Sequence, residues 1–371
     1  MSEKLWQKVV RVVATAGAIP FPKDYDNVII EILQNLINEE QARFLLHFRK
    51  PSLSMDQIIE KTKDEFDEKS IKRLLKELLA NGVLVKSQSR TTGIDVFRLM
   101  GPFPGMFEYT MMKGETGEKQ KRIAHLFEKL FDEMTERTQK NYDAITSQFK
   151  KIREVPTARV IPVEKEVKVG QEEVIPGEHI INLLNDYDMI ALTNCYCRHE
   201  KDLVDKHCSV TNDKLNCFLL GKGAKHAIEQ GFAKPISKED AVTILRKTED
   251  EALVHRIFHV HLDPKKEIEG ICACCKCCCG GFELYYRGAS PFFTSTSYLA
   301  KVNNDECIGC GTCVEKCPME TIELIDTVAR INEDKCIGCG VCAHHCPEEA
   351  IHLERTGHRF VFVPPIKLTA E

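Results

Sequence analysis

One cysteine spacing, present twice near the carboxyl end, constrains this chain more than any other feature of its sequence. The run C-x2-C-x2-C-x3-C-P begins at Cys307 and returns at Cys336. Three thiols so spaced can line one tight loop, and the fourth then lies on the far side of the turn. Glycines within each loop allow the backbone to come close to a bound group and to aim its N–H groups at it. The repeat therefore predicts two polynuclear metal centres. Each centre takes three ligands from one run and its fourth ligand from the other run.

The repeated run resembles that of bacterial two-cluster ferredoxins, which conduct single electrons and perform no bond chemistry. Eight structural thiols, or two zinc sites, are the alternative, but zinc sites rarely show two such runs in register. We expect two [4Fe–4S] clusters. Their ligands are Cys307, Cys310, Cys313 and Cys346 for the first, and Cys336, Cys339, Cys342 and Cys317 for the second.

Ten further cysteines lie upstream of the repeat, and six of them fall within the eight residues 272–279. Neighbouring side chains diverge in extended backbone, so these six must serve two sites or leave spare thiols. Because unpaired thiolates are reactive, we expect one or two more [4Fe–4S] clusters here, with an interleaved assignment. The candidate ligands are Cys195, Cys197, Cys208, Cys217, Cys272, Cys274, Cys275, Cys277, Cys278 and Cys279.

The order of these blocks resembles an uncharacterised group of anaerobic iron–sulfur proteins of similar length. The resemblance rests on C-x-C-R at 195–198, on Cys208 and Cys217, on the run 272–279 and on the repeat. It implies an electron carrier or a redox-complex subunit, and it supplies no reaction. Arg198 could then neutralise a cluster or form a surface ion pair. The tripeptide at 278–280 more weakly resembles the Cys-Cys-Gly element of heterodisulfide-reductase-type domains, which makes a disulfide-reductase-like subunit a minor alternative.

The first 110 residues have the element order of a winged helix. Ser54 and Gln57 have capping-box spacing, and Asp67 precedes a helix with an apolar stripe from Ile71 to Leu79. Two short strands around a turn at Gly93 follow. This segment holds 16 basic and 15 acidic residues, whereas a nucleic-acid interface requires a basic face. We therefore favour protein docking by this domain over DNA binding.

Composition limits the remaining possibilities. The formal net charge is −5, which argues against binding by bulk charge to nucleic acid or anionic membranes. No apolar run is long enough for a membrane span, and no export signal is visible. The 18 cysteines then suit a reducing cytoplasm, where thiols bind metals more often than they form disulfides. No dinucleotide or Walker motif is present, so a hydride or flavin reaction would belong to a partner.

Together these features predict an α+β multidomain protein. A winged-helix-like docking domain (1–110) is followed by a helical linker (111–156) and a cysteine-rich α+β domain (157–300). A ferredoxin-like dicluster domain (301–354) and a tail (355–371) complete the chain. The predicted function is a relay of single electrons between a redox partner and a catalytic subunit in anaerobic metabolism, without catalysis by this chain alone. The alternative is an iron–sulfur redox-sensing transcription regulator that binds DNA through the winged helix.

Overall fold

The computed structural model describes residues 2–17, 20–89, 91–151, 158–161, 180–259 and 267–368. The chain divides into two compact units, and both combine segments distant in sequence. The first unit comprises 1–133, 196–206 and 222–234, and the second comprises 134–195, 207–221 and 235–371. Helix and sheet are mixed, as the sequence predicts. Within the described part of the chain, no helix has the length and apolar character needed to cross a membrane.

The helices are numbered in chain order. They are α1 (Ser2–Ala14), α2 (Asp26–Leu36), α3 (Glu39–Leu45), α4 (Met55–Thr62), α5 (Glu68–Ala80), α6 (Met106–Met112), α7 (Glu118–Lys140), α8 (Tyr142–Lys151), α9 (Ile180–Asn185), α10 (Tyr196–Leu203), α11 (Gly221–Glu229), α12 (Lys238–Asp250), α13 (Gly280–Tyr286), α14 (Thr312–Lys316) and α15 (Val341–His344).

The strands are numbered in the same way. They are β1 (Leu53–Ser54), β2 (Leu84–Gln88), β3 (Asp95–Leu99), β4 (Ala158–Ile161), β5 (Ile190–Asn194), β6 (Leu215–Leu220), β7 (Lys234–Pro235), β8 (Val254–His259), β9 (Ile268–Cys274), β10 (Phe292–Val302), β11 (Ile322–Ile325), β12 (Val328–Ile331) and β13 (Ile351–Val363).

The first unit begins with the elements that its sequence predicts. The Ser54 side chain accepts from the N–H of Gln57, and the Gln57 side chain accepts from the N–H of Ser54, which forms the capping box of α4. Asp67 caps α5 by accepting from the N–H of Ser70. The strands form a three-stranded sheet in the order β1-β3-β2. From the first to the third strand, the order of elements is β1, α4, α5, β2 and β3.

Aromatic rings of α6, α7 and α10 pack together in the first unit. Phe107 of α6 meets Phe127 of α7 edge-on with ring centroids 4.9 Å apart. It also contacts Phe131 and Tyr196 in the same manner. The apolar stripe of α7 is therefore a packing face, as expected for an amphipathic helix of mixed charge.

The second unit is built on an eight-stranded sheet in the order β13-β10-β4-β8-β9-β6-β5-β7. Side chains alternate between its faces. On one face, residues such as Phe218, Ile257 and Ile271 join a fully apolar core with α9 and α12. The cysteines of β6 and β9 point to the other face, because they alternate with these core residues along each strand.

The ferredoxin repeat lies between two long strands of this sheet. β10 and β13 pair antiparallel from Phe292↔Val363 to Val302↔Ile351. The elements α14, β11, β12 and α15 all fall in the intervening segment. Residues 355–363, part of the predicted tail, form the second half of β13. The strands of the cysteine-rich region and the two strands that flank the repeat thus belong to one sheet.

Candidate metal centres

The first group of ferredoxin cysteines, here the first quartet, comprises Cys307, Cys310, Cys313 and Cys346. These four side chains line a single cavity, together with apolar residues that include Ile308 and Leu324. Cys346 comes from the second repeat, so the structure brings together the crossed set that the spacing predicts. The cavity opens toward solvent, since Cys310 is exposed and 63% of Ile308 is accessible. Ligation by these four thiols remains a prediction.

The second quartet comprises Cys317, Cys336, Cys339 and Cys342, and all four are buried. Burial raises the pKa of Cys339, and the nearby Cys317 and Cys336 raise it further. Burial also raises the pKa of Cys342, to which Cys313 of the first quartet contributes. The two quartets are therefore close enough to interact electrostatically. Metal binding at such thiols releases their protons.

Two glycines make the cluster loops possible. Gly309 and Gly338 have φ of +68° and +64°, a backbone region that favours glycine. A Cβ on Gly309 would lie 2.2 Å from the Thr327 carbonyl oxygen. A Cβ on Gly338 would lie 2.2 Å from the Tyr298 carbonyl oxygen. Both loops thus pass against neighbouring backbone at distances that only glycine permits.

Backbone N–H groups point at the sulfurs of these loops. Ala329 donates to Cys307 Sγ, Gly338 donates to Cys336 Sγ, and Thr321 donates to Cys317 Sγ, each at 3.5 Å. Such hydrogen bonds stabilise negative charge on a sulfur and tune the potential of a centre that it ligates. The donor set therefore fits anionic iron–sulfur centres.

The middle cysteines separate into two groups. Cys217 on β6 faces Cys272 on β9 as a direct cross-strand pair. Cys274 follows two residues after Cys272 and so lies on the same face. Cys217 also contacts the thiol of Cys195, and Cys274 contacts that of Cys279. These five buried cysteines, here the sheet-face group, are Cys195, Cys217, Cys272, Cys274 and Cys279.

Neighbouring thiols dominate the protonation of the sheet-face group. Contacts with Cys195 and Cys272, followed by burial, raise the pKa of Cys217 well above its ordinary value. Contacts with Cys272 and Cys279 do the same for Cys274. Both shifts favour the protonated form of Cys217 and Cys274 when no metal is bound. A bound metal would deprotonate them, so its affinity would fall with acidity.

Arg256 supplies positive charge beside the sheet-face group. It is directly opposite Cys272 on β8, and it is 6% exposed. Its guanidinium lies 4.9 Å from the ring centroid of Phe292. A Cβ on Gly281 would be only 2.4 Å from the Nη1 atom. A buried cation at this position favours a negatively charged centre at the thiolates. Arg256 could not be identified from the sequence, because an isolated arginine in a strand carries no motif.

A second, tighter group, here the Cys208 quartet, comprises Cys208, Cys275, Cys277 and Cys278. Their four sulfurs all lie within 4.8 Å of one another. Cys208 Sγ is 3.7 Å from Cys275 Sγ and 3.6 Å from Cys277 Sγ. Leu253 and Ala273 pack against the group, whereas Cys277 is exposed. The contact with Cys275 lowers the pKa of Cys208 to about 6.

Residues 272–279 contribute cysteines to both groups. Cys272, Cys274 and Cys279 belong to one group, and Cys275, Cys277 and Cys278 belong to the other. Cys197 lies on α10, in the first unit, and is buried there together with Arg198. None of the 18 cysteines, all of which are among the described residues, forms a disulfide.

Residues of the segment 276–286 contact the chain directly after Cys317. The Tyr286 hydroxyl donates to the Pro318 carbonyl oxygen at 2.8 Å, and Lys276 pairs with Glu320. Burial raises the pKa of Tyr286, and Cys317 is among the groups that raise it further. These contacts connect the cysteine-rich segment with a predicted ligand of the second quartet.

Comparison with known proteins supports the ferredoxin assignment for this part of the chain. Residues 300–353 match the family described as 4Fe-4S dicluster domain. No curated protein and no solved structure matches the chain. The chain therefore carries a 4Fe-4S dicluster domain and is an iron–sulfur protein.

Proposed function

We propose that this protein relays single electrons between a redox partner and a catalytic subunit. Each [4Fe–4S] cluster supplies reversible one-electron transfer. The observation that carries the proposal is the dicluster domain, with two predicted ligand quartets close enough to interact. The residues of this chain hold the centres, tune them by N–H···S bonds and exclude water from the second quartet.

The sheet-face group is the proposed site of a further iron–sulfur cluster. Five thiols exceed the four that a single tetrahedral ion binds, and a polynuclear cluster distributes its ligands over several irons. Arg256 offsets part of the negative charge. The Tyr286 and Lys276 contacts give a short connection toward Cys317. Electrons would pass from the buried sheet face through the second quartet to the first.

The proposed exit lies at the first quartet. Ile308 and Leu324 line its cavity and are 63% and 43% exposed. Ile325, next to Leu324, is 46% exposed. Exposed apolar side chains around a redox centre suit a transient protein contact, which buries little area.

The test uses the full chain, tagged and purified without oxygen from its native source with any bound oxidoreductase. The captured enzyme should reduce or oxidise the clusters, and Ile308→Glu should slow this transfer about tenfold or more without changing iron content. Leu368→Glu, at a residue that is 50% exposed, is the matched control. Equal transfer rates in both variants would contradict the exit at Ile308. Turnover of a substrate by the isolated chain would contradict the relay itself.

The alternative of a DNA-binding regulator is favoured by one observation, the winged-helix order of β1 to β3. The charges of α5, which would be the recognition helix, favour protein docking instead. Lys72 pairs with Glu68 at 2.5 Å. Arg73 pairs with Glu40 at 2.6 Å and with Glu77 at 3.3 Å. Cations paired within the protein contribute little to phosphate binding.

DNA binding is tested by fluorescence anisotropy of the full chain with DNA from upstream of its own gene, at physiological salt. We expect only weak, non-specific binding that Arg73→Ala leaves unchanged. Specific binding that is lost in Arg73→Ala, kept in Lys63→Ala and dependent on cluster oxidation would establish the regulator instead. Lys63 is a suitable control because, like Arg73, it is an exposed basic residue with a nearby acidic partner, here Glu60.

A further inference from the structure

The four sulfurs of the Cys208 quartet have the spacing of ligands around one ion. A tetrahedral ion with metal–sulfur bonds of about 2.3 Å holds its sulfurs about 3.8 Å apart. The Cys208–Cys275 and Cys208–Cys277 distances are 3.7 Å and 3.6 Å. Cys277 and Cys278 are also 3.6 Å apart. A cubane encloses a tetrahedron of irons and separates its thiolate sulfurs to on the order of 6 Å.

The ferredoxin quartets provide an internal comparison. All of their cysteines are described, yet among the described residues the Cys208 quartet alone brings four cysteine sulfurs within 4.8 Å of one another. The same chain therefore has wide quartets where cubanes are expected and one narrow quartet elsewhere.

We propose that the Cys208 quartet binds a single zinc ion in a closed four-thiolate site. The proposal is independent of the electron relay. If the Cys208 quartet binds zinc, the sheet-face group is the site in the middle region where a further [4Fe–4S] cluster is expected.

The surroundings of the quartet suit a structural ion. Four thiolates complete a tetrahedron and leave no position for water or substrate, which is typical of structural zinc. Leu253 and Ala273 cover one side with apolar surface. The ion would join Cys208 to a segment 67 residues away in sequence. Binding would displace the remaining thiol protons to solvent and would transfer no electron.

A zinc ion here would also fix the sheet-face group. Cys275 follows directly after Cys274, and Cys278 directly precedes Cys279. If one ion holds Cys275 and Cys278, their direct neighbours Cys274 and Cys279 are oriented toward the sheet-face group. The zinc site would therefore act as a positioning element for the proposed cluster.

The experiment measures zinc and iron by mass spectrometry in the anaerobically purified full chain and in Cys208→Ser. We expect about one zinc per chain, absent from the variant, with iron in the ferredoxin domain unchanged. Lys276→Gln, between two of the ligands, should keep its zinc. Zinc X-ray absorption of the wild type should give four sulfur neighbours at about 2.3 Å.

Two results would overturn the proposal. Loss of about four irons on Cys208→Ser, with no zinc in the wild type, would identify a cubane at the quartet. Loss of a single iron with the signal of a mononuclear ferric site would replace zinc by iron. If Cys208→Ser does not fold, Co²⁺ added to the zinc-depleted wild-type chain should develop the absorption of tetrahedral cobalt thiolate. Its absence would also reject the site.

Discussion

Replacing Gly338 by alanine should destabilise the loop that holds Cys336, Cys339 and Cys342. The same change at Gly309 or Gly311 of the first loop should destabilise that loop less. At φ +64° a residue with a Cβ costs about 1–2 kcal/mol in backbone conformation. The new Cβ would also lie 2.2 Å from the Tyr298 carbonyl oxygen and 2.6 Å from Thr296 Oγ1. Both neighbours are on β10 and are buried, so overlap forces a shift that costs about 1–3 kcal/mol. The sum is about 2–5 kcal/mol.

Two alanine variants of the first loop separate these contributions. Gly311 has φ +80°, but its Cβ would meet its nearest neighbour, Leu324, at 3.9 Å. Gly311→Ala should therefore show only the conformational cost. Gly309→Ala would collide with Thr327, which lies in the exposed turn between β11 and β12 and can yield. We expect the order of destabilisation Gly338, Gly309, Gly311.

The assay is the first-order rate of cluster loss from the full chain in a fixed urea concentration, without oxygen, followed by visible absorption and EPR. About 1.4 kcal/mol corresponds to a tenfold change in rate. Gly338→Ala should thus lose its cluster about five- to 150-fold faster than Gly311→Ala, if the overlap is released when the loop opens. Equal rates for these two variants would refute the role assigned to the contact with β10.

Four further outcomes are expected. Anaerobically purified protein should contain at least about 12 irons per chain; about eight, with the sheet-face thiols all alkylatable, would show that this group binds no cluster. Cys317→Ser should alter the EPR signal of the cluster at Cys336 and spare the other ferredoxin signal; the reverse pattern would reject the crossover. Arg256→Met should lower the reduction potential of the sheet-face cluster, measured by potentiometric titration, because a cation stabilises the reduced, more negative state; an unchanged potential would count against that role. Burial lowers the pKa of His226 to about 4, below its unfolded value, so its contribution to stability is complete above about pH 6.5 and is lost as pH falls toward 4; His226→Phe should flatten this dependence in urea titrations monitored by the fluorescence of Trp6, and an equally steep dependence in the variant would oppose it.

Local patterns predicted local structure. The caps at Ser54 and Asp67 depend only on residues three positions apart, and both are present. Alternation along β9 places Cys272 and Cys274 on one face, but the strand ends at Cys274, and the turn that follows determines the positions of the remaining four cysteines of 272–279. By contrast, the sequence could not identify Cys208 as the fourth member of the tight quartet, because that contact depends on the packing of distant segments.

The expectation of one or two further [4Fe–4S] clusters in the middle region is based on counting thiols. Counting cannot distinguish one ion from a cluster, since both take four cysteines; only the distances between sulfurs do. The predicted border at residue 300 falls within β10, which continues to Val302. The pairing of β10 with β13 joins segments on either side of the repeat, and no local sequence pattern predicts such a contact. The position of Arg256 beside Cys272 likewise depends on the pairing of two strands, β8 and β9, that no local pattern predicts.

The two ends of the ferredoxin segment meet at the edge of the sheet. Val302 is paired with Ile351, and the N–H of Asn303 donates to the Ala350 carbonyl oxygen at 2.7 Å. The chain thus leaves the sheet after Val302 and returns to it at Ile351, and these two positions are direct neighbours. The backbone pairing of β10 with β13 therefore fixes both ends of the cluster-bearing segment at neighbouring positions.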